Sequence, residues 1–192
     1  MLCHLPYAEV PISSAEDFSR SYEITIGMAE RGNAETNVRV FACVGPYPVL
    51  LLGLVERYGL PRAVEIMKGG IEMAAQLVRD GKAIALGEMG RPHFPVSEEI
   101  MAASNDILSY GMRLAKECSC PAVIHAESAT TSSMENLAQM ADRVGLQREK
   151  VVKHYCGPLV TPAENHGVFP SVLASRDMVM EALSKGDRFL LE

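Results

Sequence analysis

Four runs of this chain are apolar on both alternating faces: VRVFACVG (38–45), the stretch from Ala83 into ALGE (83–88), PAVIHAE (121–127) and VVKHYCG (151–157). A strand with one wet face alternates apolar and polar residues. A strand apolar on both faces must be covered twice, which is the condition of a parallel sheet packed under helices. That requirement leaves α/β architectures and little else.

The intervening segments read as helices with recognisable ends. Residues 13–32 open on Ser13 and Glu16, spaced as a capping box, and stop at Gly32; SSMENLAQMADRVG repeats the device with Ser132, Glu135 and Gly145. A third helix is predicted from Pro61 to Gly81, and a fourth from Ser97 to Cys118 with Ile100, Ile107, Leu108 and Leu114 on one side. After His154 come a Pro- and Gly-bearing loop to His166, a short GVFPSV strand, a helix over 175–185 and a last apolar run, RFLLE. No linker, repeat or charge block divides the chain, so residues 1–192 are predicted as one domain.

Regular β/α alternation can close into a (β/α)8 barrel or open into a doubly wound sheet. Glu88 and His125 are 37 positions apart and His125 and His154 are 29 apart, near the roughly 31 residues per unit of an eight-unit barrel. No Gly-rich phosphate loop follows any strand. The expected fold is a TIM-type barrel, short of closure with about six to seven units present. The chain opens on the scrap LCHL and closes on a strand, so both ends of the barrel are expected to be missing.

Composition narrows the partners. With 18 Lys and Arg against 24 Asp and Glu, the formal charge is -6 and no basic stripe exists, so general attraction to nucleic-acid phosphates has no support. Five cysteines in or beside apolar runs do not form a secreted disulfide framework. No run is long enough to span a membrane, and no secretion signal opens the chain. The expectation is a cytoplasmic protein with no membrane partner.

Glu88, His125 and His154 each end a mostly apolar run, at the carboxyl end of a predicted strand, where barrel enzymes place their chemistry. Taken singly, each has an ordinary structural explanation, a loop cap for the acid or a satisfied core position for the imidazoles. Together, two imidazoles and a carboxylate are a common ligand set for zinc or a similar divalent ion, manganese and magnesium being alternatives. Such an ion would acidify its water toward neutral pH and generate a hydroxide nucleophile. Arg91, His93 and Glu127 lie in the loops just beyond and are candidates to touch substrate, or ordinary loop residues. His166 reads as a loop residue. Lys153 supports a rival chemistry, a Schiff-base lyase, but adjacent strand residues face opposite ways, so Lys153 and His154 cannot share the interior unless the strand is bulged. Cys118 and Cys120, spaced C-x-C around a turn, read as buried small hydrophobes, and the 11 methionines as core filling.

These residues carry a resemblance. ALGEMGR is similar to the Gly-Glu-Ile-Gly strand of the TatD-type metal-dependent hydrolases, in the amidohydrolase-like barrel superfamily; AVIHAES and VVKHYC resemble its next two His-bearing strands, and RFLLE resembles the run leading into its Glu-Thr-Asp. The similarity extends from about Val38 to Glu192. It implies that Glu88 bridges two metals and that His125 and His154 hold the second. The family's first-strand His-x-His has no counterpart, His4 standing alone, and its last-strand Asp would fall beyond Glu192, so the other metal position loses nearly all its ligands. The resemblance implies a metal-dependent hydrolase, deoxyribonuclease-like, acting through metal-bound hydroxide on a phosphoester or amide-like bond of a small-molecule or phosphoester substrate. The alternative is a catalytically incomplete barrel piece or scaffold, completed by a partner or a second copy in a homo-oligomer.

Overall fold

The structure, a computed structural model, describes residues 1–192. Seven parallel strands run in sequence order through one sheet: β1 (Leu2–Cys3), β2 (Ala42–Val44), β3 (Ala85–Gly90), β4 (Ala122–His125), β5 (Val151–Cys156), β6 (Phe169–Val172) and β7 (Leu190–Leu191). Each pairs with the next and β1 does not pair with β7. The sheet nevertheless curls, because Cys3 from its first strand and Leu190 and Leu191 from its last line one cavity of about 280 Å³. The result is an incomplete barrel, as the strand spacing predicts.

Around the sheet run α1 (Asp17–Glu35), α2 (Leu50–Tyr58), α3 (Leu60–Arg79), α4 (Glu98–Glu117), α5 (Thr131–Val144), the single turn α6 (Pro162–Asn165) and α7 (Arg176–Lys185). Alternation along the strands sorts the core into two sides. Ala42, Val44, Leu86, Ile124 and Val151 join the large outer cluster beneath the helices, whereas Cys43, Ala85, Val123 and Val152 form a small inner cluster lining the curl.

Several local expectations are corrected. The scrap LCHL contains a strand, with Leu2 and Cys3 in register with Ala42 and Cys43. The first helix has no Ser13/Glu16 box; the Asp17 carboxylate instead accepts from the backbone N–H groups of Ser13 at 2.8 Å and Ser14 at 2.9 Å. Nor does it stop at Gly32, whose missing side chain admits Val40 against the helix, while Asn33 bonds the backbone of the same Val40. The box on α5 uses Thr130 and Ser133, two residues before the predicted pair. The helix α2 was not anticipated; Gly59, at φ +77°, turns the chain between it and α3. Ser97 and Ser175, at the predicted helix starts, cap their helices with their side chains, and all five cysteines are free thiols.

Candidate metal centre

The strands that carry the candidate ligands are irregular at those residues. Between β3 and β4 the register advances three residues on β3 (Leu86 to Met89) against two on β4 (Ala122 to Ile124), a bulge that contains Glu88. Between β5 and β6 it advances from Lys153 to Cys156 against Pro170 to Val172, a second bulge at His154 and Tyr155, with Tyr155 at φ +53°. Gly87 and Gly90, at φ +157° and +149°, flank Glu88; a side chain on either would run into the backbone of β4, at the carbonyls of Val123 and His125. The two glycines therefore bring β4 close enough for His125 to meet Glu88.

Three residues predicted as ligands come together at the mouth of the curl. Glu88, His125 and His154 each offer a donor atom, and the three atoms lie within 4.8 Å of one another. His125 Nδ1 is 3.2 Å from Glu88 Oε2, His154 Nδ1 is 3.8 Å from Glu88 Oε1, and the two imidazoles stack with centroids 5.7 Å apart. Glu88 is 6 % exposed and forms no ion pair with any Lys or Arg. A buried carboxylate compensated only by imidazoles is short of positive charge, which is the deficit a divalent cation fills. The donor set fits such an ion.

Glu192 joins this cluster, although the sequence reading did not single it out as a site residue. Its carboxylate accepts from His154 Nδ1 at 2.9 Å, from the Tyr155 N–H at 2.8 Å and from Ser171 Oγ at 2.7 Å. Since the carboxylate can only accept, His154 carries its proton on Nδ1, and Nε2 keeps the lone pair a metal needs. The bond to Glu192, reinforced by the charge of Glu88 and opposed by burial, raises the His154 pKa above its usual value. Burial pushes the Glu192 pKa upward, but the donors from His154, Ser171 and Tyr155 outweigh it and hold the group below its usual value. The signal for Glu192 was its place after the apolar Leu190–Leu191 pair, where Glu88 and His154 also stand in their runs.

His125 is held from the other side. Its Nδ1 lies 3.2 Å from Glu88 Oε2, and its Nε2 lies 2.9 Å from His93 Nδ1 and 3.4 Å from the Tyr47 hydroxyl, so a bound ion would displace one of these neighbours from the imidazole. Tyr47, on the loop after β2, meets the imidazole edge-on. Burial and the charge of Glu88 push its phenol pKa up, so it stays a donor. Nothing in VGPYPVL pointed to it.

The three predicted substrate contacts separate. His93 is at the mouth, on His125. Arg91 is turned into the seam between α4 and α5, 7 % exposed, donating to Asn136 Oδ1 at 3.1 Å and Asn105 Oδ1 at 3.4 Å, with Glu127 Oε1 3.2 Å from Nη2. That pair ties together the loops after β3 and β4. Lys153 lies on the helix-covered side, fully buried, its ammonium donating to the His154 carbonyl at 2.5 Å. Burial lowers its pKa, yet no carbonyl substrate can reach it, which removes the geometric basis of a Schiff-base lyase. His4 and His166 lie outside the cluster.

Comparison with known proteins agrees with this arrangement. A family model described as TatD related DNase matches residues 17–192. "Uncharacterized protein MJ1127" of Methanocaldococcus jannaschii is 41% identical over 177 residues, 92% of this chain and 63% of the relative, so the chain spans less than two thirds of that relative's length.

Proposed function

From the premise that this chain belongs to the TatD-related DNase family, we propose that it is a divalent-metal-dependent hydrolase whose centre is built by Glu88, His125 and His154. The observation that carries this reading is the convergence of those three donors within 4.8 Å around a buried carboxylate with no Lys or Arg counter-ion. Zinc suits a set of two imidazoles and one carboxylate, with manganese and magnesium as alternatives. A bound ion supplies an acidified water and polarises the scissile phosphoester or amide-like bond.

The chain's own residues prepare that chemistry. Glu192 fixes the tautomer and plane of His154; Tyr47 and His93 fix His125. The Arg91–Glu127 pair holds the loop that carries His93 and the loop after His125. The formal charge of -6 favours a small phosphoester substrate over a polynucleotide, against which the net field would work. No helix is long and apolar enough to cross a membrane. A homo-oligomer is proposed on the exposed apolar residues Met180 and Leu183 of α7 and Leu190 and Leu191 of β7, and light scattering that finds only monomer refutes it.

Elemental analysis of untagged chain, purified without chelator, tests the centre. One equivalent of zinc or manganese, lost in His125→Ala, is the expected result. Absence of metal from the unaltered chain refutes the reading and leaves a family fold without its chemistry.

A further inference from the structure

The loops after β1 and β2 leave between them a cavity of about 530 Å³, within the size range of small-ligand sites. Its wall includes Tyr7, Val10 and Ile12 from the first loop, and Leu50 and Leu54 from α2. Both loops leave the carboxyl ends of their strands, as do the segments carrying Glu88 and His125. Cavity and metal centre share a wall: Tyr47 lines the cavity, and its hydroxyl is 3.4 Å from His125 Nε2.

Two further features mark this space as a ligand seat rather than a packing gap. Gly53 lies inside α2, where glycine costs about 1 kcal/mol relative to alanine, and a side chain on it would meet nothing within 4 Å. Gly53 is exposed along the open side of the cavity, so a larger side chain there would project into the cavity space rather than against packed neighbours. The lining also contains no acid in a chain of formal charge -6, and its one charged residue, Arg57, makes no ion pair. The cavity is walled mainly by apolar side chains with the exposed Arg57 at its edge, which suits the organic portion of an ester whose anionic group lies at the metal centre.

We infer that this cavity seats the non-reacting, apolar half of the substrate, so that the substrate is a small anionic ester carrying a group of aryl or branched-alkyl size, with Tyr47 marking the boundary between the apolar half and the scissile bond. This rests on the metal-centre reading for the position of the reacting half, and on the cavity alone for the apolar half.

The test is equilibrium dialysis of the full chain with 1-naphthyl phosphate and with methyl phosphate, with and without added manganese, beside separate measurement of manganese affinity. The naphthyl ester should bind at least about tenfold more tightly than the methyl ester. Gly53→Leu, whose side chain projects into the cavity space, should reduce that ratio to near one while leaving manganese affinity unchanged; Gly53→Ala, which favours the helix and adds one carbon, should reduce it less. A ratio near one in the unaltered chain, or a ratio that survives both substitutions, overturns the inference. A chain that binds no manganese but keeps the naphthyl preference overturns the metal centre and leaves the cavity's assignment standing.

Discussion

On the β1 side of the sheet His4 is 1 % exposed, with Nδ1 3.1 Å from Thr25 Oγ1, Nε2 3.3 Å from Ser21 Oγ and the ring of Tyr22 against its face. On the β4–β5 side His125 and His154 are partly exposed, and each has a carboxylate on Nδ1. All three imidazoles stand at the carboxyl end of a parallel strand. The difference is parity: Cys3 faces the inner cluster, so His4 turns outward beneath α1, whereas Val123 and Val152 face inward and so do His125 and His154 two residues later. Residue type at a strand end therefore does not decide what a histidine can do; the face does, and burial holds His4 below its usual pKa while the bond to Glu192 holds His154 above its own.

The largest effect that would sharpen this contrast is on metal affinity. His125→Ala should lower it by at least about 100-fold, and His4→Gln should leave it unchanged. Calorimetric titration with zinc in a competing chelator measures both, and equal losses in the two variants would break the distinction between the faces. Glu192→Gln should lower affinity by about 10- to 100-fold, because an amide no longer fixes the His154 tautomer while the first three ligands remain.

Burial on the β1 side lowers the His4 pKa to about 4 from an ordinary 6.5. The unfolded chain takes up this proton as pH falls through 6.5, and the native chain refuses it until about pH 4. Stability is therefore intact above 6.5 and lost progressively below it, by about 2 kcal/mol at pH 5 from this group alone. Urea unfolding at pH 7.5 and pH 5 should show that loss in the unaltered chain and a smaller one in His4→Gln. An identical acid sensitivity in both would mean that His4 is not a buried neutral imidazole.

The mouth was legible where a candidate ligand ends a two-sided apolar run, because burial on both faces leaves few reasons for a charged residue there: Glu88, His125 and His154 all carry that mark. Tyr47 and His93 were less legible, since a loop side chain is placed by the path of the chain in space and not by a local period. The glycines beside Glu88 were visible as residues, but their role depends on the closeness of β4. Helix ends moved for a related reason. Thr130 won the α5 cap from a serine equally suited by type, and on α1 no side chain caps the helix, Asp17 instead binding the incoming turn at Ser13 and Ser14, outcomes decided by where the incoming chain points. Gly32, which reads as a stop, serves instead to admit Val40.

The smallest expected effect separates the two faces within one strand. Lys153 and His154 are neighbours on β5, yet the first is sealed beneath the helices and the second faces the mouth. Burial disfavours the charged ammonium and lowers the Lys153 pKa below 10.5, so the unfolded chain holds this proton more strongly than the native one. Stability contributed at this site is thus reduced while the pH lies below the lowered native pKa, and is recovered as pH rises toward 10.5. Lys153→Met keeps the volume and removes the charge; it should alter stability near neutral pH by no more than about 1 kcal/mol, upward if at all, and flatten the alkaline rise. Metal affinity should not change, and borohydride with an aldehyde should trap nothing on Lys153 in the folded chain. Loss of metal in Lys153→Met, or a trapped adduct, would show that the second bulge brings both side chains to the mouth and would end the assignment of β5 to one inward residue.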